Sequence, residues 1–314
     1  MEDLVILGSG PAGCTAAIYA ARAGYRPVIL AGSLPGGLLT QTPKIENYPG
    51  FPEPVSGFDL MDAMLQQAER LGARLLFHTA RELILDAPVK TLTLDDGSTL
   101  QAKAVILATG ARHRQPENRG KLQGKNVSFC ATCDGHFYKG KIIALAGNGS
   151  AALNEALFLC GLAERLHLLV PAGELKGPQV LRDRLLSHPA LELHLHTRVQ
   201  ETREDEAGHM TALLLQDTQT GESSTLPVQG LFLALGFEPD TALLEKTGVA
   251  LTPDGYIKRT SPQKTSTNLP GVFAAGDCTD PHYKQAVIAA GTGAMAGMDA
   301  AEYLRSQPPE APLP

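Results

Sequence analysis

A short apolar run, a glycine-rich turn and a small-residue helix occur twice in this chain, about 140 residues apart, and that repeat limits the folds open to it. The first copy opens with Leu4-Val-Ile-Leu7, a run that suits a buried parallel strand. It continues through the turn Gly8-Ser9-Gly10-Pro11-Ala12-Gly13 into a helix over residues 15–23, and Gly24 separates that helix from a second strand at 27–30. The second copy starts at Lys141, with a strand over 142–145, the turn Gly147-Asn-Gly-Ser-Ala-Ala152, a helix to about Leu162 and a strand over 166–170. Two strand–helix–strand units of this kind predict an α/β protein with two Rossmann-like dinucleotide-binding domains.

Between the two turns, the pattern predicts a hairpin. Residues 91–94 and 100–109 read as strands around Asp95-Asp-Gly97, the second of them apolar up to Thr109-Gly110. A similar sequence returns in the second unit: residues 213–217, a turn at Thr220-Gly221, and the run 230–236. The remaining chain offers a hairpin signal at Asp254-Gly255, a strand over 271–276 and a long small-residue helix from about Gln285 to Leu304. It has no phosphate-binding turn of its own, so it is expected to complete the first domain. The last ten residues form a polar, Pro-rich tail with no drive to fold.

The chain has 314 residues, 43% hydrophobic and 19% charged, a globular composition consistent with two domains. The net charge of -6 supplies no basic field for nucleic acid or an anionic membrane. Small molecules and proteins are the expected partners. The N-terminus lacks the basic stretch of a signal peptide, and its apolar run stops far short of a membrane span, so a cytoplasmic protein is expected.

Five cysteines, at 14, 130, 133, 160 and 278, do not resemble a structural disulfide framework. Cys130-Ala-Thr-Cys133-Asp134 has the spacing of a redox pair. Its expected place at a helix start would favour the reactive thiolate, and Asp134 stands ready to give and take protons. The same spacing could be half a zinc site with His113 and His136, but a closed site needs four ligands and the chain has no second Cys-x-x-Cys; no metal is expected. Cys14, Cys160 and Cys278 sit among apolar or small residues and read as inert core thiols.

The chemistry of a Gly-x-Gly-x-x-Gly turn explains its residues. Gly8 permits the tight bend, Gly10 lets a pyrophosphate approach the backbone, and Gly13 lets the helix pack on the strand. The acid expected about twenty residues on, at a nucleotide ribose, is absent, since the second strand runs into Ala31-Gly32-Ser33. The second turn carries alanine at its third small position. The strand after it ends in Val170-Pro171-Ala172-Gly173, with neither an acid for a ribose hydroxyl nor arginines for a 2′-phosphate, and Lys176 is the nearby cation.

Taken together, these residues resemble the low-molecular-weight thioredoxin reductases of bacteria over nearly the whole chain. The most specific match is Cys130-Ala-Thr-Cys-Asp-Gly135; others are Gly8–Gly13, Glu46-Asn-Tyr-Pro-Gly50, Ala108-Thr-Gly110, Gly271-Val-Phe-Ala-Ala-Gly276-Asp277, Gln285-Ala286 and Ala290-Gly-Thr-Gly293. The resemblance implies a FAD-binding domain of residues 1–113 and 240–314, and an inserted NAD(P)H-binding-like domain of residues 114–239 that carries the cysteine pair. It also implies a homodimer and a rotation between domains. Carried over by position, Ser9, Pro11 and Ala12 belong with the glycines of the FAD turn. Ala31 and Gly32 through Gly36 and Gly37 would line the adenosine and pyrophosphate, Asn47, Thr109 and Gly110 the flavin side, Gly276 and Asp277 the ribityl chain, and Lys284, Gln285 and Ala286 the ring. Cys133 would face the flavin, Cys130 would exchange with the partner, and Asp134 would act as acid and base.

The chain departs from the family at Leu38, where the family has glutamine, and at Lys284, where it has arginine. It departs further at Val170-Pro171-Ala172 and Lys176, which stand where the family carries His-Arg-Arg and another arginine for NADPH. These departures favour a disulfide reductase that takes electrons from reduced ferredoxin or another flavin and passes them through Cys133 and Cys130 to a thioredoxin-like protein. An ordinary NAD(P)H-dependent thioredoxin reductase is the alternative, and a non-catalytic flavin redox sensor a second. The inserted fold could also hold a different dinucleotide, even a second FAD.

Overall fold

A computed structural model describes all residues except 43, 44, 115, 117, 123, 125 and 308–314, and only the backbone of residues 119 and 133. Residues 308–314 of the Pro-rich tail therefore lie outside the described residues, while its first two residues, Arg305 and Ser306, extend the helix Ala286–Ser306, contrary to the expectation from sequence. The chain forms two units, Met1–Arg112 with Glu238–Pro314, and His113–Phe237.

The first unit is built on a seven-stranded sheet. Its parallel part runs Arg74–Leu76, Val28–Leu30, Glu2–Leu7, Thr99–Leu107. The long strand Thr99–Leu107 has two partners on its far side. Its first half pairs antiparallel with Lys90–Leu94, which continues to Ala80–Ile84, and its second half pairs parallel with Val272–Ala274. The three central strands are apolar because both their faces are covered: Leu4, Val5, Ile6, Val105, Ile106, Val272 and Ala274 are fully buried.

One face of this sheet is covered by two helices, Pro11–Arg22 and Ala286–Ser306. Their small residues let the backbones touch. A Cβ on Gly293 would lie 2.2 Å from the Ala12 carbonyl oxygen, and one on Gly297 2.5 Å from that of Ala16. A third helix, Gly57–Arg70, was not anticipated from the sequence. Ser56 caps it by accepting from the Asp59 amide, and Leu60, Met61, Met64 and Ala68 form its buried stripe.

The second unit holds a five-stranded parallel sheet in the order Leu191–His194, Arg165–Leu169, Ile142–Gly147, Leu231–Ala234, Val127–Ser128. Helices Ser150–Cys160 and Gln179–Leu186 pack on one face. On the other face, apolar side chains of the antiparallel sheet Thr197–Glu204, Met210–Asp217, Ser223–Pro227 close a second core. Here the structure corrects the sequence reading. The hairpin partner of Met210–Asp217 is Ser223–Pro227, not the run 230–236, which joins the parallel sheet as Leu231–Ala234. Ser223–Pro227 escaped notice because four of its five side chains are exposed, so it has no apolar signature. Among the described residues no helix is long and apolar enough to cross a membrane.

Candidate functional site

In the first unit, the glycine turn stands where Glu2–Leu7 ends and Pro11–Arg22 begins. Gly8 has φ of +105°, and a Cβ there would come within 2.2 Å of the Ala108 carbonyl oxygen; one on Gly13 would come within 1.9 Å of that of Gly8. The protein's own backbone therefore forbids side chains at both positions. Gly10 differs, since a Cβ there would meet only the Gly36 oxygen, at 3.8 Å. The space in front of Gly10 is open, at the N-terminus of a 12-residue helix that has no side-chain cap and no acid in its first turn. Amides in this state present partial positive charge to an anion, so the cradle fits a pyrophosphate.

Ser9 gathers the surrounding loop. Its buried hydroxyl donates to the Ala31 carbonyl at 3.3 Å and accepts from the Gly36 amide at 2.9 Å, which holds the segment from Ala31 and Gly32 to Gly36 and Gly37 beside the turn. Gly36 and Gly37 both have positive φ, and a Cβ on Gly37 would lie 3.5 Å from the Gly10 Cα. On the other side, a Cβ on Gly276 would lie 2.8 Å from the Ala12 side chain, and the Gly276 amide donates to the Thr292 hydroxyl at 3.0 Å. Thr109 and Gly110 follow the carboxyl end of Thr99–Leu107, the edge where open α/β sheets bind ligands.

Asn47 and Gln285, far apart in sequence, are joined by an Nδ2–Oε1 hydrogen bond of 3.0 Å, and Gln285 leads directly into the helix at Ala286. Burial raises the Asp277 carboxyl above its ordinary range, while Lys284 pulls it back down. Lys284 has φ of +44° and places its ammonium 5.6 Å from the centre of the Tyr256 ring. All the FAD-side residues expected from the sequence thus belong to this one unit. The donors and openings they present fit FAD.

The cysteine segment lies in the second unit. Cys130 is in a disulfide; the side chain of Cys133 lies outside the described residues. The Cys130 amide donates to the Ser128 hydroxyl at 3.0 Å, and the Cys130 carbonyl accepts from the Asp134 amide at 3.1 Å. The helix expected here to activate the thiol is a single turn, Ala131–Asp134, followed by a 3-10 turn Gly135–Tyr138. One turn aligns too few peptide dipoles for the macrodipole argument made from sequence; the Cys130 sulfur instead lies 3.5 Å from the Thr132 hydroxyl. Asp134 lines a cavity of about 300 Å³ with Asn126, Val127, Ser128, Phe137, Tyr138 and Lys141.

A residue that the sequence reading passed over lies beside this turn. Glu155, on helix Ser150–Cys160, accepts a hydrogen bond from the Ala131 amide, and its second oxygen is buried without a partner among the described residues. Burial raises its carboxyl to about 7, so it holds or releases a proton near neutral pH next to the redox segment. The sequence signal was a single acid in the stretch Ala-Leu-Asn-Glu-Ala-Leu-Phe-Leu, apolar but for it and Asn154.

The other cysteines are free and buried, and burial pushes their thiols up, Cys14 to about 12, Cys160 and Cys278 to about 11. They are core thiols. His113 stacks on Phe237 with ring centres 4.6 Å apart, and His136 meets Phe158 edge-on, so both imidazoles face aromatic rings.

At the second glycine turn, Asn148 fastens the following loop. Its Oδ1 accepts from the Gly149 amide at 3.0 Å and the Lys176 amide at 2.7 Å, and its Nδ2 donates to the Glu174 carbonyl at 3.0 Å. The loop is drawn over the turn, so that a Cβ on Gly177 would lie 3.4 Å from the Ser150 amide nitrogen. Residues 170–181 contain one cation, Lys176. The next, Arg182, spends its guanidinium on the Leu175 carbonyl and the Gln179 side chain.

Residues 2–293 match the family described as pyridine nucleotide-disulphide oxidoreductase. The chain is 41% identical to a thioredoxin reductase of Streptomyces coelicolor, an alignment covering 97% of this chain and 94% of that one. It is 39% identical to NADPH-dependent thioredoxin reductase 3 of Arabidopsis thaliana, covering 98% of this chain and 59% of that one. Among solved structures, the thioredoxin reductase of Lactococcus lactis superposes with a TM-score of 0.85 at 29% identity, covering 98% of this chain and all of the other. The chain belongs to the pyridine nucleotide-disulphide oxidoreductase family, among its low-molecular-weight thioredoxin reductase-like flavoproteins.

Proposed function

We propose that this protein is a FAD-dependent thioredoxin reductase, acting as a cytoplasmic homodimer on a thioredoxin-like disulfide protein. The observation that carries the reading is the disulfide at Cys130, in a Cys-Ala-Thr-Cys turn anchored by Ser128 and flanked by two carboxyl groups. The reading takes Cys133, three residues on, as the other half of that disulfide. The flavin, when bound, supplies a two-electron carrier. Gly10 and the first amides of Pro11–Arg22 would seat its pyrophosphate; Ser9 holds the adenosine-side loop in place; Asn47, Asp277 and Gln285 would orient the remainder.

Reduction of the pair adds two electrons and two protons and breaks the S–S bond. The Cys130 thiolate then attacks the partner disulfide, a mixed disulfide forms, and the Cys133 thiolate resolves it and releases the reduced partner. Asp134 and Glu155 exchange the protons that this sequence of thiols and thiolates requires. Glu155 suits that task because its proton is held with a midpoint near 7.

The names of the relatives support a pyridine nucleotide as electron donor, the ordinary reading for this family. A second reading, a donor other than NADPH such as a reduced iron–sulfur protein or another flavin, draws support from one place. Val170, Pro171 and Ala172 offer no cation to a 2′-phosphate, and the loop that Asn148 fastens lies on the turn that a pyrophosphate would use. The two readings part in an anaerobic titration of the yellow holoprotein with NADPH and with NADH. Bleaching of the flavin within milliseconds to seconds, saturating at micromolar nucleotide, supports the ordinary reading; a flavin that dithionite bleaches and neither nucleotide does supports the other. A protein reduced by every route that still turns over no thioredoxin disulfide refutes the reductase assignment itself.

A further inference from the structure

We propose that His167, Glu192 and His194 form a binding site for one divalent transition-metal ion of the zinc type, on the sheet of the inserted unit. His167 lies on Arg165–Leu169, and the other two lie on the adjacent edge strand Leu191–His194. The parallel register sets His167 directly opposite Glu192. Glu192 and His194 are two residues apart, which puts them on the same face, and the three side chains converge there.

The donor atoms lie within 4.8 Å of one another, close enough to converge on one ion. His167 Nδ1 and His194 Nε2 are 2.9 Å apart, His194 Nε2 and Glu192 Oε1 3.5 Å, and His167 Nδ1 and Glu192 Oε2 3.7 Å. Zinc bonds of roughly 2.0–2.1 Å at tetrahedral angles separate neighbouring donors by about 3.3 Å, so small adjustments of each side chain seat the ion. Two imidazoles and a carboxylate are also the chemistry of zinc rather than of magnesium or calcium, which favour oxygen alone. The three protein donors leave a fourth position for water or a further ligand.

The surroundings fit a built site. The His167 side chain is 7% exposed, His194 25% and Glu192 45%, so the cluster grades from a dry wall to open solvent. The imidazole pair shares one hydrogen bond; the ring that donates it must move its proton to its other nitrogen for both lone pairs to reach the metal. Arg165 competes for Glu192 Oε2, which lies 3.3 Å from its Nη1 and is also the carboxylate oxygen 3.7 Å from His167 Nδ1, so seating an ion between the two histidines turns the carboxylate away from Arg165. His167 stands three residues before Val170, so an ion here would fasten the edge strand to the strand that leads into the loop held by Asn148.

The test uses the FAD-loaded protein with its cysteines oxidised, titrated with zinc chloride by calorimetry after exhaustive chelation and dialysis. The buried His167 is left intact. His194→Ala and Glu192→Gln act at the two partly exposed ligands, with circular dichroism confirming each fold. His78→Ala serves as control, because His78, Asp95 and Asp96 form a second, exposed group of possible ligands in the other unit. The expected result is one zinc equivalent per chain that His194→Ala removes and Glu192→Gln weakens at least about tenfold, unchanged by His78→Ala. Zinc also raises the melting temperature of the wild type and not of His194→Ala. Wild-type protein that takes up no zinc, or a zinc stoichiometry and affinity that His194→Ala leaves unchanged, overturns the proposal.

Discussion

Replacing Glu155 by glutamine tests the electrostatics of the redox segment. The Glu155 carboxyl titrates near 7 in the folded protein and near its ordinary value of 4.5 in the unfolded chain. A raised carboxyl binds its proton more tightly when folded, so its contribution to stability is fully present below pH 4.5 and is lost as pH rises towards 7. The difference corresponds to about 3 kcal/mol at most, from 1.36 kcal/mol per pKa unit. Glutamine keeps an oxygen for the Ala131 amide and has no charge to bury. Relative to wild type, Glu155→Gln should therefore gain about 2–3 kcal/mol between pH 5 and pH 8. For a unit of this size that is roughly a 1 M shift in urea midpoint. The assay is urea unfolding followed by circular dichroism at both pH values, because the chain has no tryptophan to report by fluorescence. An equal difference between the two proteins at pH 5 and pH 8 would refute the claim that Glu155 is buried with a raised pKa. If Glu155 also handles protons in turnover, the variant should flatten the neutral limb of the pH–rate profile.

Gly10→Val should give a soluble, colourless protein, since the valine meets little of the chain but fills the space assigned to the pyrophosphate; absorbance at the flavin band measures it, and full retention of flavin places FAD elsewhere. Ser9→Ala strands the Gly36 amide, and should cost about 1–3 kcal/mol and weaken FAD binding, read from urea midpoints and from flavin released on dilution. An unchanged FAD affinity would mean that the Ala31–Gly37 loop holds its place without Ser9.

Much of the fold was legible where the chain is apolar and punctuated. Leu4–Leu7 with Gly8–Gly13, and Ile142–Leu145 with Gly147–Ala152, announce strand, turn and helix because fully buried strands need unbroken apolar runs and the turns need glycine. The elements that went unread depend on partners. Thr197–Glu204 mixes buried Val199 with exposed Arg198, Arg203 and Glu204, and takes its place only against Met210–Asp217. Gly57–Arg70 did carry a helix signal, in the Ser56 cap and the stripe from Leu60 to Ala68, though no Gly-x-Gly-x-x-Gly turn precedes it. At the site, Cys130, Asp134 and the glycines were visible as motifs. Glu155 was not, because its pKa is set by a fold that brings helix Ser150–Cys160 against Ala131. Nor could sequence foresee that Asn148 would bridge its own turn to Glu174 and Lys176.

The central claim is that electrons pass from flavin to the Cys130/Cys133 pair, and an anaerobic dithionite titration that counts electrons per chain tests it most directly. Wild-type protein should accept about four electrons, two at the flavin and two at the disulfide, and Cys133→Ser about two, with its FAD retained. A wild-type chain saturating at two electrons, or a Cys133→Ser variant that still takes four, would contradict the account.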